Sequence, residues 1–179
     1  MHILDVAQNS ISAGAKNIYV GIDEDTARDT LSITINDDGC GMTPEFLEKV
    51  TDPFTTTRKT RRVGLGLPLF KAAAEMTGGS FEIQSAVGAG TKLTAVFGLS
   101  HIDRMPLGDI ATTVMQLVMA APETDFVYRR SKDGEAFELS TAEVRRIMEG
   151  IPIDAPEVLE FIHSFIQENE NELTGGIAI

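Results

Sequence analysis

The segment Asp37-Asp38-Gly39-Cys40-Gly41 restricts the fold of this chain more than any other feature, because it follows directly on an apolar strand pattern. Residues 17–22 and 30–36 alternate apolar and polar side chains around an acidic turn, which predicts a β-hairpin. A carboxylate at the end of such a strand can enter a pocket, and glycines let the main chain approach a ligand closely. The same Asp-Gly sequence also suits an ordinary turn, so both interpretations stand at this stage.

The remaining patterns predict helices and strands on both sides of this segment. Thr43 is predicted to cap a helix whose first residue is Pro44. Gly78 lies just after the predicted end of a later helix. Residues 51–63 show no periodicity and are predicted to form a loop. The predicted helices are residues 2–13, 43–50, 67–76, 107–121, 141–149 and 156–173, and the further strands are 80–85, 91–99 and a hairpin over 125–140.

The first helix carries two polar residues one turn apart. Asp5 and Asn9 are four positions apart, which places them on the same helix face. An asparagine amide oxygen is a suitable neutral ligand for Mg²⁺, and a carboxylate one turn earlier could hold a water for attack on a phosphate. An ordinary polar helix face would look the same, so this pair alone decides nothing.

Two glycine-containing segments follow. Val63-Gly64-Leu65-Gly66 opens a helix, where backbone N–H groups and the helix dipole favour phosphate oxygens. Gly88-Ala89-Gly90-Thr91 enters a strand and could place a threonine hydroxyl near the Asp37 carboxylate. Each is common by itself, and the second is also an ordinary hairpin turn.

Taken together and in this order, the four segments resemble the N, G1, G2 and G3 boxes of the GHKL superfamily of gyrase, heat-shock chaperones, histidine kinases and MutL. The resemblance covers about residues 1–98. It implies an α+β fold of the Bergerat type, a two-layer α/β sandwich with a mixed sheet, which binds ATP with Mg²⁺.

The resemblance also assigns roles to residues. It implies that Asn9 binds magnesium and that Asp37 accepts a hydrogen bond from the adenine amino group. Asp5 occupies the position of the catalytic base, and the segment from Asp52 to Lys59 resembles a kinase F box with its lid. The other implied ATP-binding residues are Gly39, Gly41, Thr57, Lys59, Gly64, Leu65, Gly66 and Thr91.

Three departures from the family pattern carry expectations of their own. Asp5 stands where hydrolysing members have a glutamate, so slow hydrolysis is expected. Arg62 stands where kinases often have the first glycine of the G2 box, which could stiffen the lid. The strands that usually precede the N box are missing from this sequence, which would leave an unpaired sheet edge. We predict that residues 125–140 or a second subunit cover this edge.

Residues 100–179 are predicted to form an extension of helices and a β-hairpin packed on an ATP-binding domain of residues 1–99. The segment from Ser100 to Leu107 resembles a kinase H box, which would make His101 a phosphoacceptor. The acidic neighbour usual in that box is replaced by Ile102. A loop that ends a strand and precedes a helix explains the segment equally well.

Composition limits the partners. The net charge is −12 and the pI about 4.6, which argues against wide nucleic-acid binding. No apolar run approaches the ~20 residues that span a bilayer, so no membrane segment and a cytoplasmic location are expected. Cys40 is the single cysteine, which excludes an internal disulfide.

Three hypotheses follow. The first is an ATP-binding protein of the histidine-kinase-like ATPase superfamily, a MgATP-dependent switch with slow phosphotransfer or hydrolysis that acts in signal transduction through a partner protein. The second is a protein kinase that phosphorylates His101 or a partner. The third is a non-catalytic nucleotide-binding module. The sequence leaves open whether the chain forms a homodimer.

Overall fold

The computed structural model describes residues 3–51 and 66–176, which form six helices and six strands. Their order alternates short groups of helices with antiparallel strand pairs. In chain order they are α1 (Ile3–Ser12), β1 (Asn17–Asp25), β2 (Thr30–Asp37), α2 (Pro44–Leu47), α3 (Gly66–Met76), β3 (Ser80–Ala86), β4 (Gly90–Gly98), α4 (Ile110–Ala120), β5 (Asp125–Lys132), β6 (Glu135–Ser140), α5 (Thr141–Ile147) and α6 (Pro156–Thr174).

The strands form one mixed sheet in the order β3-β4-β2-β1-β5-β6. β5 pairs with β1 in parallel, whereas the other neighbouring strands are antiparallel. The predicted hairpin over residues 125–140 therefore covers the exposed edge of β1, which confirms the first of the two predicted alternatives. One sheet thus joins residues 1–99 to the extension.

The sheet buries one face and leaves the other open. Alternate residues of β2 are buried, among them Leu31, Ile33 and Ile35, because successive side chains of a strand point to opposite faces. The helices pack on this apolar face: α3 contacts β3 and β4, and α1 contacts β1, β2 and α4. The result is the two-layer sandwich that the sequence predicted.

Several predicted boundaries move by a few residues for local reasons. Thr43 caps α2 by accepting a hydrogen bond from the Phe46 N–H, as predicted, but the helix ends at Leu47. α4 begins at Ile110 rather than Leu107, because Gly108 has a φ of +79° and the Asp109 side chain caps the helix at the Thr112 N–H. No helix in the described part of the chain is long and apolar enough to cross a membrane.

Candidate functional site

A cavity of about 150 Å³ lies between α1 and the buried face of the sheet. Its walls come from α1, the loop after β2, α2, the start of α3, and strands β2, β3 and β4. Most of the lining is apolar, which suits a flat ring, and a few polar groups are placed among the apolar ones. The lining residues are Val6, Asn9, Ser10, Ser12, Ala13, Ile35, Asp37, Cys40, Gly41, Met42, Phe46, Val50, Leu67, Ile83, Thr91 and Leu93.

The Asp37 carboxylate is the acidic group of this lining, and two donors hold it. Asp37 is 7% exposed at the end of β2. Ser10 of α1 donates its hydroxyl to Oδ2 at 2.6 Å, and the Gly39 N–H donates to Oδ1 at 2.9 Å. Each carboxylate oxygen has two lone pairs, so both oxygens keep the capacity to accept a further hydrogen bond from a ligand.

The loop after β2 packs tightly on the turn between β3 and β4. The Gly88 N–H donates to the Cys40 carbonyl at 2.9 Å. Gly41 has a φ of +65°, and a β-carbon there would lie 1.9 Å from the Ala86 carbonyl oxygen. A β-carbon at Gly90 would lie 1.9 Å from the Asp37 carbonyl oxygen. Glycine is therefore required at both positions to bring this loop against the sheet.

Ser85 of β3 connects the loop to β4. Its hydroxyl accepts from the Met42 N–H at 2.9 Å and donates to the Gly90 carbonyl at 2.8 Å. The same hydroxyl lies 2.9 Å from the Thr91 hydroxyl, and Thr91 is paired with Asp37 across the strands. The side chain of Thr91 is thus fixed beside the Asp37 end of the cavity.

Asp38 has a structural part in the same loop. Its carboxylate accepts hydrogen bonds from the Lys16 N–H, the Asn17 N–H and the Asn17 side-chain amide at 2.7 to 2.9 Å. The Asn17 side chain and backbone hydrogen bonds lower the pKa of Asp38 from its ordinary value. Asp38 therefore fixes the loop to the start of β1 and points away from the cavity that Asp37 lines.

The structure brings some of the predicted site residues together and leaves others apart. Asn9, Asp37, Gly41 and Thr91 line the one cavity, and Gly39 lies behind Asp37. Asp5 is exposed one turn before Asn9 and does not line the cavity. Gly66 begins α3 against α1, where a β-carbon would lie 3.2 Å from the β-carbon of Asp5. Thr57, Lys59, Gly64 and Leu65 lie outside the described residues.

The polar side chains of the cavity suit a magnesium ion that is bound by one protein side chain and, for the rest, by a bound phosphate ligand and water. Among the described residues, no group of three or more His, Cys, Asp or Glu side chains could hold a metal. The Asn9 amide lines the cavity on the side away from the sheet. Mg²⁺ commonly takes one or two protein ligands and completes its shell with phosphate oxygens and water, so a single asparagine fits that chemistry.

His101 lies at the opposite end of β4 from Thr91. The strand runs from Gly90 to Gly98, and a rise of about 3.3 Å per residue separates Thr91 from Gly98 by about 23 Å. The His101 Nδ1 accepts a hydrogen bond from the Asp103 N–H at 3.2 Å, which places the proton of a neutral ring on Nε2. His101 does not line the cavity.

Sequence reasoning missed two hydroxyl groups, those of Ser10 and Ser85. Ser10 follows Val6 at the spacing of the buried face of α1, so a polar residue within that apolar face was the available signal. Ser85 gave no comparable signal, since it alternates normally along a strand. Its contact with Met42 depends on how a distant loop packs against the strand.

A scan against protein-family models matches residues 2–101 to the family described as histidine kinase-, DNA gyrase B-, and HSP90-like ATPase. The match covers more than half of the chain and includes all four lining residues predicted from the sequence. It begins just before α1 and ends at the turn after β4.

Curated relatives share the same half of the chain. A sensor protein of Shewanella frigidimarina is 32% identical over 103 residues, which are 56% of this chain and 16% of that protein. The histidine protein kinase DivJ of Caulobacter vibrioides is 30% identical over 96 residues, which are 51% of this chain and 16% of that protein. The chain therefore covers about a sixth of the length of these relatives.

Solved structures extend the likeness to most of the fold. A structure titled as the N-terminal domain of a DNA repair protein superposes with a TM-score of 0.53 at 11% sequence identity. The superposition covers 85% of this chain and 57% of that one. At this identity the likeness shows a shared fold alone.

Proposed function

Since the chain belongs to the family of histidine kinase-, DNA gyrase B- and HSP90-like ATPases, we propose that it is a MgATP-dependent switch. In this proposal, ATP occupies the cavity between α1 and the sheet. Hydrolysis or phosphotransfer is slow, and a partner protein responds to the bound state.

One observation carries the proposal: Asn9 and Asp37, predicted to hold opposite ends of a nucleotide, line the same cavity. Asp37 is buried and oriented by Ser10 and Gly39, so it can accept a hydrogen bond from an exocyclic amino group. Apolar side chains such as Ile35, Ile83 and Leu93 belong to the same lining and can contact a purine ring.

The phosphate end is assigned to the Asn9 side of the cavity on α1. Thr57, Lys59, Gly64 and Leu65, which were also predicted to bind ATP, lie outside the described residues. The cavity of about 150 Å³ is smaller than the roughly 300–1,000 Å³ of complete ligand pockets, so in this proposal it holds the purine ring and the phosphates extend past Asn9. Asn9 would hold Mg²⁺, which supplies charge neutralisation for the phosphates when bound. Asp5 lies one turn before Asn9 on α1, where a carboxylate could orient a water.

A switch is favoured over a kinase that phosphorylates its own His101. The cavity lies at the Thr91 end of β4, and His101 follows the other end about 23 Å away. Transfer within one chain would need the phosphate and the histidine to meet. Phosphorylation of His101 would therefore require transfer between two copies of the chain.

Calorimetric titration with ATP, ADP and GTP, each with and without Mg²⁺, tests the nucleotide site. We expect ATP and ADP to bind and GTP not to bind, because guanine presents a carbonyl where adenine presents the amino donor to Asp37. Mg²⁺ should strengthen ATP binding more than ADP binding. Equal binding of ATP and GTP would contradict the assignment of Asp37.

Variants separate the two ends of the site. Asp37→Asn should abolish nucleotide binding, whereas Asn9→Ala should remove the Mg²⁺ dependence and leave adenosine binding intact. The matched control is Asp154→Asn, an exposed aspartate in the loop before α6. Unchanged affinity in both site variants would refute the proposal, and an effect in the control would show that the loss is not local.

Turnover distinguishes the switch from its alternatives. With γ-labelled ATP, slow release of phosphate that falls in Asp5→Asn without loss of affinity supports hydrolysis with Asp5 as base. Acid-labile label that disappears in His101→Ala supports a kinase. Binding with no turnover and no change in partner affinity supports a non-catalytic module.

A further inference from the structure

A second cavity lies on the open face of the sheet, opposite the helices. Its volume is about 500 Å³, and strands β1, β2, β4 and β5 form its floor. Gly21 lies in this floor, and the Tyr19 ring lies across it: a β-carbon at Gly21 would be 2.6 Å from the tyrosine hydroxyl and 2.7 Å from Cε1. The Tyr19 ring therefore lies over Gly21, and small side chains form the β2 part of the floor.

The polar groups around this cavity have unused hydrogen-bonding capacity. Within the described part of the chain, six lining residues make no side-chain hydrogen bond or ion pair with the protein, and water must satisfy them in the free state. These residues are Tyr19, Ser32, Thr34, Asn36, Lys92 and Arg129. In contrast, Ser131 and Asp23, which also line the cavity, are hydrogen bonded to each other.

The charges favour an anion. Lys92 and Arg129 are both exposed and lack an acidic partner among the described residues, although the whole chain has a net charge of −12. Glu138 is paired with Arg129 across the strands, yet the two form no ion pair. Asp23 is the acidic residue of the described lining, and it already accepts a hydrogen bond from Ser131.

The two cations stand at opposite sides of the cavity. Lys92 is on β4 and Arg129 is on β5, with β2 and β1 between them. Three strand spacings of about 4.8 Å, together with an offset of two residues along the strands, place the two residues' backbones about 16 Å apart. Long side chains that lean inward can therefore engage two separate anionic groups of one molecule, with the hydroxyls of Ser32 and Thr34 between them.

We propose that this open-face cavity binds a small organic molecule with two separated anionic groups, such as a sugar bisphosphate. Lys92 and Arg129 pair with the two anionic groups, and the hydroxyl and amide groups of the floor bind the polar frame. The volume of about 500 Å³ matches a small molecule, since typical ligand pockets measure roughly 300–1,000 Å³.

This site is separate from the proposed nucleotide site and does not depend on it. Asn36 and Lys92 adjoin Asp37 and Thr91 along their strands, and neighbouring strand residues point to opposite faces. The two cavities therefore lie back to back across the sheet, and a ligand in one leaves the other free.

Amide NMR of the ¹⁵N-labelled full chain tests the proposal with fructose 1,6-bisphosphate as probe and uncharged fructose as its control. We expect saturable shifts of amides in β1, β2, β4 and β5, weakening with added salt, and none with fructose. The double variant Lys92→Gln/Arg129→Gln should bind roughly tenfold or more weakly, because both charge-assisted contacts are lost.

The matched control is Lys16→Gln/Arg146→Gln, which removes the same charge from exposed residues outside the cavity. It should bind the probe like the unaltered chain. Absence of saturable shifts in the unaltered chain, equal binding by both double variants, or shifts confined to the helix side of the sheet would overturn the proposal. A titration with ATP in the same samples reports on the nucleotide site independently.

Discussion

At the scale of single residues, the orientation of Asp37 is the feature on which nucleotide recognition depends. A buried carboxylate is costly unless hydrogen bonds compensate for its lost hydration. Ser10 and the Gly39 N–H supply two such bonds, one to each oxygen. The side chain is therefore held in one position before any ligand arrives, which lowers the entropic cost of binding.

Ser10→Ala should weaken ATP binding about tenfold, because a hydrogen bond to a charged group contributes about 1.5 kcal/mol and also fixes the carboxylate. The effect should be the same for ATP and ADP, since Ser10 contacts the end of the cavity where Asp37 lies. Calorimetry measures both affinities. Gln8→Ala, an exposed position on the same helix that does not line the cavity, should leave them unchanged.

Alanine substitutions at Gly41 and Gly14 together test how much the tight packing of the loop after β2 contributes to stability and binding. Both have positive φ, +65° and +73°, so alanine costs about 1–2 kcal/mol of backbone strain at either position. At Gly41 the new β-carbon would also collide with the Ala86 carbonyl. At Gly14 a new β-carbon would have no neighbouring atom within 4 Å. Gly41→Ala should lower stability more than Gly14→Ala and should also weaken nucleotide binding. Urea denaturation measures the stability and calorimetry the nucleotide affinity of the two variants. Equal losses of stability in both variants would contradict this account.

The order of the four motifs, rather than any one of them, predicted which residues come together at the site. Asp37, Gly41 and Thr91 line the cavity as the motif order predicted. The sequence could not show that Ser10 donates to Asp37, because that bond joins residues 27 positions apart and depends on how α1 packs on β2. The contact of Ser85 with Met42, which is 43 positions away, depends on long-range packing in the same way.

At the scale of elements, a buried polar cluster fixes α6 to the extension strand β5 and to β1. Arg130 is fully buried, and its guanidinium donates to Glu24 at 2.6 Å while its Nε lies 3.5 Å from Glu170. The Tyr128 hydroxyl donates to the other oxygen of Glu170 at 2.5 Å. The sequence predicted these elements, but it could not predict the pairing, because Glu24 and Arg130 are 106 residues apart.

Because of Tyr128, the free energy of unfolding should decrease as the pH rises into the alkaline range. Burial, followed by the nearby Glu170, raises the pKa of Tyr128 well above 10.0 in the folded chain. The folded state therefore binds the phenolic proton more tightly than the unfolded state, and this contribution is complete below pH 10. It is lost as the pH rises above that value, at up to about 1.4 kcal/mol per pH unit.

Tyr128→Phe should accordingly be less stable near neutral pH, because Glu170 loses its hydrogen bond, yet its stability should fall less steeply above pH 10. Urea denaturation at a series of pH values between about 8 and 11 measures the slope. Tyr19→Phe is the control, since Tyr19 is the other tyrosine and lies on the open face. Parallel slopes for Tyr128→Phe and the unaltered chain would contradict the argument.

At the scale of the whole molecule, the sheet extends beyond the residues that match the family. The match ends at residue 101, whereas β5 continues the sheet beside β1 and α4 packs against α1. The sequence predicted that either this hairpin or a second subunit covers an unpaired sheet edge, because an exposed edge invites pairing, and the hairpin lies there. It could not predict the parallel register of Asn17 with Asp125, since no local pattern fixes the alignment of strands about a hundred residues apart.

A chain cut after residue 101 tests whether the extension completes the domain or only adds to it. The cut would expose the β1 edge and leave the buried Glu24 without Arg130 and Lys132, its two cationic partners. We expect the thermal midpoint to fall by roughly 10 °C or more and the fragment to self-associate through β1. Calorimetry and light scattering measure both, and a chain lacking only residues 175–179 is the control. A monomeric fragment as stable as the full chain would mean that residues 1–99 fold by themselves and that β5 is an accessory strand.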